Sequence, residues 1–220
     1  MWGIDFNELF EATYDTIYMS LISTVFVAVF GLLIGILLYC TSEQGITPNK
    51  LVYSITSAIV NVLRSIPFVI LIILLLPFTK FLVGTIIGSK AFLPGLIIAS
   101  SPFYARMVET SLKEVDKGVI EAAYSLGASN FTIIKKVLLK EALPSLISGI
   151  TITCIAIVGY SAMAGIIGGG GLGELARRYG YVKNNPAVTL AATIAALLIV
   201  LVVQFTGDKI AKKYNKREVE

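Results

Sequence analysis

The run Thr16–Ser42, TIYMSLISTVFVAVFGLLIGILLYCTS, holds 27 residues without one Asp, Glu, Lys or Arg. About 20 helical residues, rising 1.5 Å each, cross the hydrocarbon of a bilayer, so this run is long enough to span with tilt. Its apolar residues are continuous rather than alternating, which favours a helix over a barrel strand. Gly31 and Gly35 stand four apart, a small face on which another helix can pack closely. Similar runs recur at about 51–77, 91–112, 145–167 and 186–206. With 56% apolar and 15% charged residues, and a mean hydropathy of +0.83, the composition agrees. The reading is an all-α polytopic membrane protein with five transmembrane helices, forming a single transmembrane domain over residues 1–220.

Several details modify that plan. The second run carries Arg64, thirteen residues past Leu51, and a guanidinium inside a span needs a cavity, a partner or the interface. Pro67 follows and should bend the segment. Two readings of Arg64–Phe68 stand: a stretch lining or gating a pathway, with Arg64 paired to an acid, or a helix that starts later with Arg64 at the interface. Residues 78–90 are apolar but too short to span, which suits a re-entrant or interfacial piece. The third run must continue through Arg106 to about Leu112, making Arg106 and Glu109 neighbours at i,i+3; Pro94 and Pro102 predict kinks. Cys40 and Cys154 lie in or at the end of apolar runs and read as packing residues.

Charge placement gives an orientation. With the C-terminus inside, the cytoplasmic side carries Lys50, Arg106, Lys113, Lys117, Lys135, Lys136, Lys140, Lys209, Lys212, Lys213, Lys216 and Arg217. The outer side holds Lys80, Lys90, Arg177, Arg178 and Lys183. That bias predicts N-out/C-in. The first fifteen residues contain Asp5, Glu8, Glu11 and Asp15 and no basic residue, the reverse of a cleavable signal, so the first span is expected to remain. The net charge of +4 lies beside the spans and gives no nucleic-acid stripe.

Enzyme chemistry finds little support. The chain has no histidine, which removes Ser-His-Asp and Cys-His arrangements and imidazole metal sites. No phosphate-binding Gly-x4-Gly-Lys-Ser/Thr loop occurs. Gly168, Gly170 and Gly173 satisfy Gly-x-Gly-x-x-Gly, yet a membrane run precedes them and position 193 is Thr, so a dinucleotide fold is rejected.

Between the third and fourth runs lies the polar interlude Glu121-Ala122-Ala123-Tyr124-Ser125-Leu126-Gly127-Ala128-Ser129. A short helix over residues 119–126 should stop at Gly127, which takes a left-handed conformation without steric cost. Ser129 or Asn130 can cap a second helix over 131–142, with Pro144 beyond it. A small knobbed helix–turn–helix of this kind suits docking into another protein's groove.

These residues carry a resemblance. Ala105-Arg106-Met107-Val108-Glu109, Ile120-Glu121-Ala122-Ala123, Leu126-Gly127-Ala128 and Glu141-Ala142-Leu143-Pro144 together resemble the cytoplasmic signature of ABC importer permeases. Val158–Gly165, Gly170-Gly171-Leu172-Gly173 and Arg64–Phe68 are similar to the methionine-importer branch. The resemblance implies the type I ABC importer permease fold with cytoplasmic coupling helices at about 113–144. It implies that Glu121, Ala122, Ala123, Gly127, Ala128, Leu143 and Pro144 couple to ATPase subunits. It places Tyr160, Ser161, Met163 and Gly165 at the translocation pathway and its gate, with Arg64, Ser65 and Pro67. Partners would be a second copy of the chain, two ATP-binding cassette ATPase subunits and an extracytoplasmic substrate-binding protein. No cofactor is expected in this chain, ATP and Mg being bound by the ATPase. The function implied is import of an amino acid, methionine foremost, across the cell membrane of a bacterium. Another small ligand, such as a different amino acid or a methionine-containing peptide, is the alternative, and an ATP-independent secondary transporter fits less well.

Two plainer readings accompany the site residues. Tyr160, Ser161 and Met163 could equally be helix-packing residues, and the glycine run, too permissive for ordinary helix, is either a moving or closely packed gate loop or a flexible turn. Ser100, Ser101 and Asn61 are weaker pathway candidates.

Overall fold

A computed structural model of the chain describes residues 5–215. The helix α1 runs Phe6–Thr41, capped by Asp5, whose carboxylate accepts from Asn7 N at 2.9 Å. It starts ten residues before the uncharged run, because its first turns pack on other protein: Ala12 is buried with Leu172, Leu175 and Val188. After a turn at 42–49, Asn49 caps α2, Lys50–Ser65. Ile66 and Pro67 are extended, as the residue before a proline prefers. The chain restarts as α3, Phe68–Leu74, at 105° to α2. The single run expected at 51–77 is thus two helices joined by a sharp corner. α3 is held against the next long helix by Leu71 and Ile72. A Cβ on Gly95 would lie 2.6 Å from Ile72, so that site needs glycine. α4, Leu76–Val83, follows and ends at Gly84 (φ 84°). It occupies the stretch expected to be interfacial.

α5, Ser89–Lys113, contains Pro94 and Pro102 and lies along α1. The pair Gly31 and Gly35 explains the close approach: a Cβ at Gly31 would come within 2.8 Å of Tyr104, and one at Gly35 within 2.5 Å of Val108. α6 is Lys117–Ser125. Three joined segments, Asn130–Thr132, the π-helical Ile133–Leu138 and Leu139–Glu141, make up α7. Leu143 and Pro144 do not close the polar segment; they form the first turn of α8, Leu143–Ile166, where proline's missing N–H costs nothing. α9, Gly171–Leu175, continues as a π-helix over Ala176–Val182, and α10 is Pro186–Tyr214. Lys216 and Arg217 of the basic tail lie outside the described residues.

Among the described residues, four helices (α1, α5, α8 and α10) are long and apolar enough to cross a membrane, and the bent α2–α3 pair makes up to a fifth. The main core joins α1, α5 and α8 through Met19, Val27, Phe92, Leu96, Tyr104, Val108 and Ile157. α10 is attached more lightly: of its residues only Val188, Ala192, Gly207 and Ala211 are buried. Cys40 and Cys154 are free thiols in buried positions.

Candidate functional site

The polar end of the bundle builds a projecting helical hairpin. Asp116 caps α6 by accepting from Gly118 N at 2.6 Å. At the far end Ala128 N donates to Ala123 O at 3.1 Å, while Gly127 takes φ 76°, a left-handed turn that reverses the chain. Ser129 then caps α7 through its hydroxyl and Thr132 N, at 3.3 Å. Ile120, Ala123 and Ala128 sit half-buried against Ile133 and Leu138 of α7. No residue of α6 is buried, so Glu121 and Ala122 face outward. Leu126 is 88% exposed and Phe131 71%, which adds two large apolar groups to the same tip. These two were absent from the site residues read in the sequence. The sequence carried no signal that would single them out, since Ile133 and Leu138 of the same polar stretch are fully buried. Nothing lies within 4 Å of a Cβ built at Gly127, so the turn itself is open to a partner.

Arg64, Ser65 and Pro67 lie at the α2–α3 corner. Arg64 is exposed, and its guanidinium stands 6.0 Å from the Phe103 ring centroid. The acidic partner expected for it does not occur among the described residues, where the salt bridges involve Glu109 and Glu8. Ser65 donates to Asn61 O of its own helix at 2.8 Å. Beyond the corner, Phe68 stacks on Tyr160 of α8, with centroids 4.6 Å apart and planes within 10°. Met163 is 45% exposed, one turn further along α8. Ser161 instead points inward and donates to Val158 O at 2.7 Å, which satisfies its hydroxyl within the helix. Gly165 is a packing residue: a Cβ there would lie 2.6 Å from Glu174 N and from Gly170 O. Of the weaker candidates, Ser101 bonds its own helix, Ser100 is buried without a partner, and Asn61 accepts from Arg106.

The glycine run is a closely packed loop. Gly168, Gly170 and Gly171 take φ of 101°, 77° and 76°. Gly88 N donates to Gly168 O at 2.9 Å, Gly170 N to Glu174 Oε2 at 3.0 Å, and Leu172 N to Thr16 Oγ1 at 2.9 Å. On the same side, Tyr179 donates to Glu8 at 2.6 Å, and that bond raises the Tyr179 pKa.

A polar cluster that the sequence only half revealed joins α2 to α5. Glu109 is 2% exposed. It pairs with Arg106 at 2.6 Å and Lys113 at 2.7 Å, and it accepts from Tyr53 of α2 at 3.1 Å. Arg106 also donates to Ser57 and to Asn61 Oδ1, the latter at 2.9 Å. The Arg106–Glu109 neighbourhood was legible from spacing. The α2 partners, some fifty residues away in sequence, were not.

Comparison with known proteins adds the following. Residues 31–217 match the family model described as binding-protein-dependent transport system inner membrane component. The chain is 57% identical to the methionine import system permease protein MetP of Bacillus subtilis, covering 98% of this chain and 97% of that one. It is 44% identical to the probable D-methionine transport system permease protein MetI of Haemophilus influenzae, over 99% and 100%. It superposes with a TM-score of 0.94, at 43% identity, on a chain from inward facing conformations of the MetNI methionine ABC transporter, covering 96% of this chain and 98% of that chain.

Proposed function

Because the chain belongs to the family of binding-protein-dependent transport system inner membrane components, we propose that it imports methionine, paired with a second copy of itself and driven through α6. The fold is that of a type I ABC importer permease, and the chain is a multi-pass membrane protein. In the proposed arrangement α6 and α7 face the cytoplasm and the glycine loop faces outward, as the distribution of Lys and Arg supports. Two ATPase subunits receive the exposed tip of Glu121, Ala122, Leu126 and Gly127, with Ala123, Ala128 and the Leu143-Pro144 turn as its footing. They bind ATP and Mg, since this chain has no phosphate-binding loop. An extracytoplasmic binding protein delivers the substrate.

The observation that carries this reading is α6 itself: a nine-residue helix with no buried residue, footed through Ile120 and Ala123 just beyond the end of a membrane-length helix. A free-standing protein gains nothing from such a surface, whereas an engine subunit needs a fixed handle. When the ATPase pair closes on ATP, the handle moves as a body and biases the spans between inward and outward access. Tyr160 and Met163 on α8, with Phe68 stacked beside them, stand where the spans would close on an apolar thioether side chain, and Met163 supplies a soft, adaptable surface for it. Secondary transport is less well supported, because the buried carboxylate Glu109 is already paired with two cations.

The test is uptake into proteoliposomes holding this chain, its ATPase and its binding protein. Labelled methionine should enter only with ATP, and unlabelled methionine should outcompete other amino acids and short peptides. If another ligand competes instead, the substrate assignment falls. If uptake proceeds without ATP, or no ATPase adheres to the membrane, the importer reading falls.

A further inference from the structure

α2 is weakly anchored for a helix in a membrane bundle. Of its sixteen residues only Val60 is buried. A groove of about 870 Å³, lined by Tyr53, Ser57, Asn61 and Lys113 among others, opens along its polar side. The hydrogen bonds from α2 to α5 come from one stripe of polar groups at i, i+4 and i+8: Tyr53, Ser57 and Asn61. All three reach a single cluster. Tyr53 donates to Glu109 at 3.1 Å, and Arg106 donates to Ser57 and, at 2.9 Å, to Asn61.

The cluster does not need α2 for its own charge balance. Arg106 and Lys113, both on α5, already neutralise Glu109. The three α2 side chains therefore act in the other direction: the fixed charges of α5 set the rotation and depth of α2. A buried ion pair holds its hydrogen-bond partners tightly, because leaving either charge unpaired is costly.

The cluster's position matters for the machine. Below it, α5 ends at Lys113 and passes through Glu114, Val115 and Asp116 directly into α6. Above it, α2 turns 105° into α3, whose Phe68 stacks on Tyr160. We infer that Glu109 and Arg106 together are positioning residues, which lock α2 to α5 through Tyr53, Ser57 and Asn61 so that displacement of α6 is carried to the Phe68–Tyr160 pair. This rests on the importer reading given above. Without the lock, α2 can swing about the Ile66–Pro67 corner into the groove beside it, and motion of α6 is lost before it reaches the gate.

The decisive variant is Tyr53→Phe with Ser57→Ala and Asn61→Ala, which leaves the Arg106–Glu109–Lys113 pairs inside α5 untouched. The full transporter is reconstituted with its ATPase and binding protein, and substrate carried per ATP hydrolysed is measured. The expected result is a fall of about ten-fold or more in that ratio, with the ATPase still bound and its rate within about two-fold of wild type. Tyr53→Phe alone should move the ratio the same way by less, and so should Glu109→Gln, because the Arg106 contacts to Ser57 and Asn61 remain. An unchanged ratio in the triple variant overturns the inference while wild-type uptake persists. Loss of the bound ATPase together with uptake also overturns it, because that would place the three residues in assembly rather than transmission. Failure of the wild-type complex to import with ATP would instead sink the importer reading itself.

Discussion

Replacing Gly127 separates the two things that glycine does. Its φ of 76° is left-handed, so any side chain there costs about 1–2 kcal/mol of backbone strain. No atom lies within 4 Å of the new Cβ, so no further clash is added. Against a typical stability of about 5–15 kcal/mol, that strain leaves the fold standing. Gly127→Ala should therefore insert, bind its ATPase and transport, with a modest loss. Gly127→Glu adds a carboxylate at the tip that the ATPase groove would have to desolvate. An unpaired charge in an interface costs about 2–5 kcal/mol. At 1.4 kcal/mol per factor of ten, binding weakens roughly 30-fold or more. The assay is co-purification of the ATPase from membranes, alongside uptake. Near-normal uptake by Gly127→Glu would refute the docking role. Equal damage from Gly127→Ala would refute the reasoning differently, by showing that the turn's conformation rather than its openness is what matters.

Other substitutions read other parts of the molecule. Gly165→Ala should lower the melting temperature of the purified protein, since its Cβ meets backbone at 2.6 Å on two sides and overpacking costs about 1–3 kcal/mol; an unchanged melting curve would mean the glycine loop gives way freely. Tyr160→Phe keeps the ring stacked on Phe68 and should keep uptake, whereas Tyr160→Ala removes a pair worth about 0.5–1.5 kcal/mol beyond its buried area and should slow uptake several-fold. Glu8→Gln should bring the Tyr179 titration back down, as followed by ultraviolet absorbance. The hydrogen bond to Glu8 is the first cause of the raised Tyr179 pKa. Its contribution is therefore complete through neutral pH and lost only as pH rises through the raised value, so stability at pH 7 should respond to the bond but not to small pH changes.

Much of the architecture was legible because a bilayer imposes a length. Uncharged runs of about 20 residues announce themselves, and the long helices α5, α8 and α10 cover the expected stretches. The turn at Gly127 and a cap at Ser129 or Asn130 were equally readable, since each depends on a residue's own stereochemistry, and the structure selects Ser129. What remained hidden depended on contacts between distant residues. The uncharged run starts at Thr16, but the helix begins ten residues earlier, where Asp5 caps it and Glu8 meets Arg178 and Tyr179. Pro67 foretold a bend, yet its size follows from Ile72 seating against Gly95. Ser161 looked available to a ligand until its own helix took its hydroxyl. No local pattern could have linked Tyr53 to Glu109, because their meeting depends on how two helices cross.

The bare tip formed by Leu126 and Phe131 has an implication for the life of the protein in the cell. In the proposed orientation, a permease made ahead of its motor subunits would carry these greasy side chains into the cytosol, where they would invite self-association and attract the machinery that clears orphan subunits. On that reading the two exposed side chains call for balanced synthesis of the two components, and supplying the ATPase in the same cell should raise the amount of permease that survives.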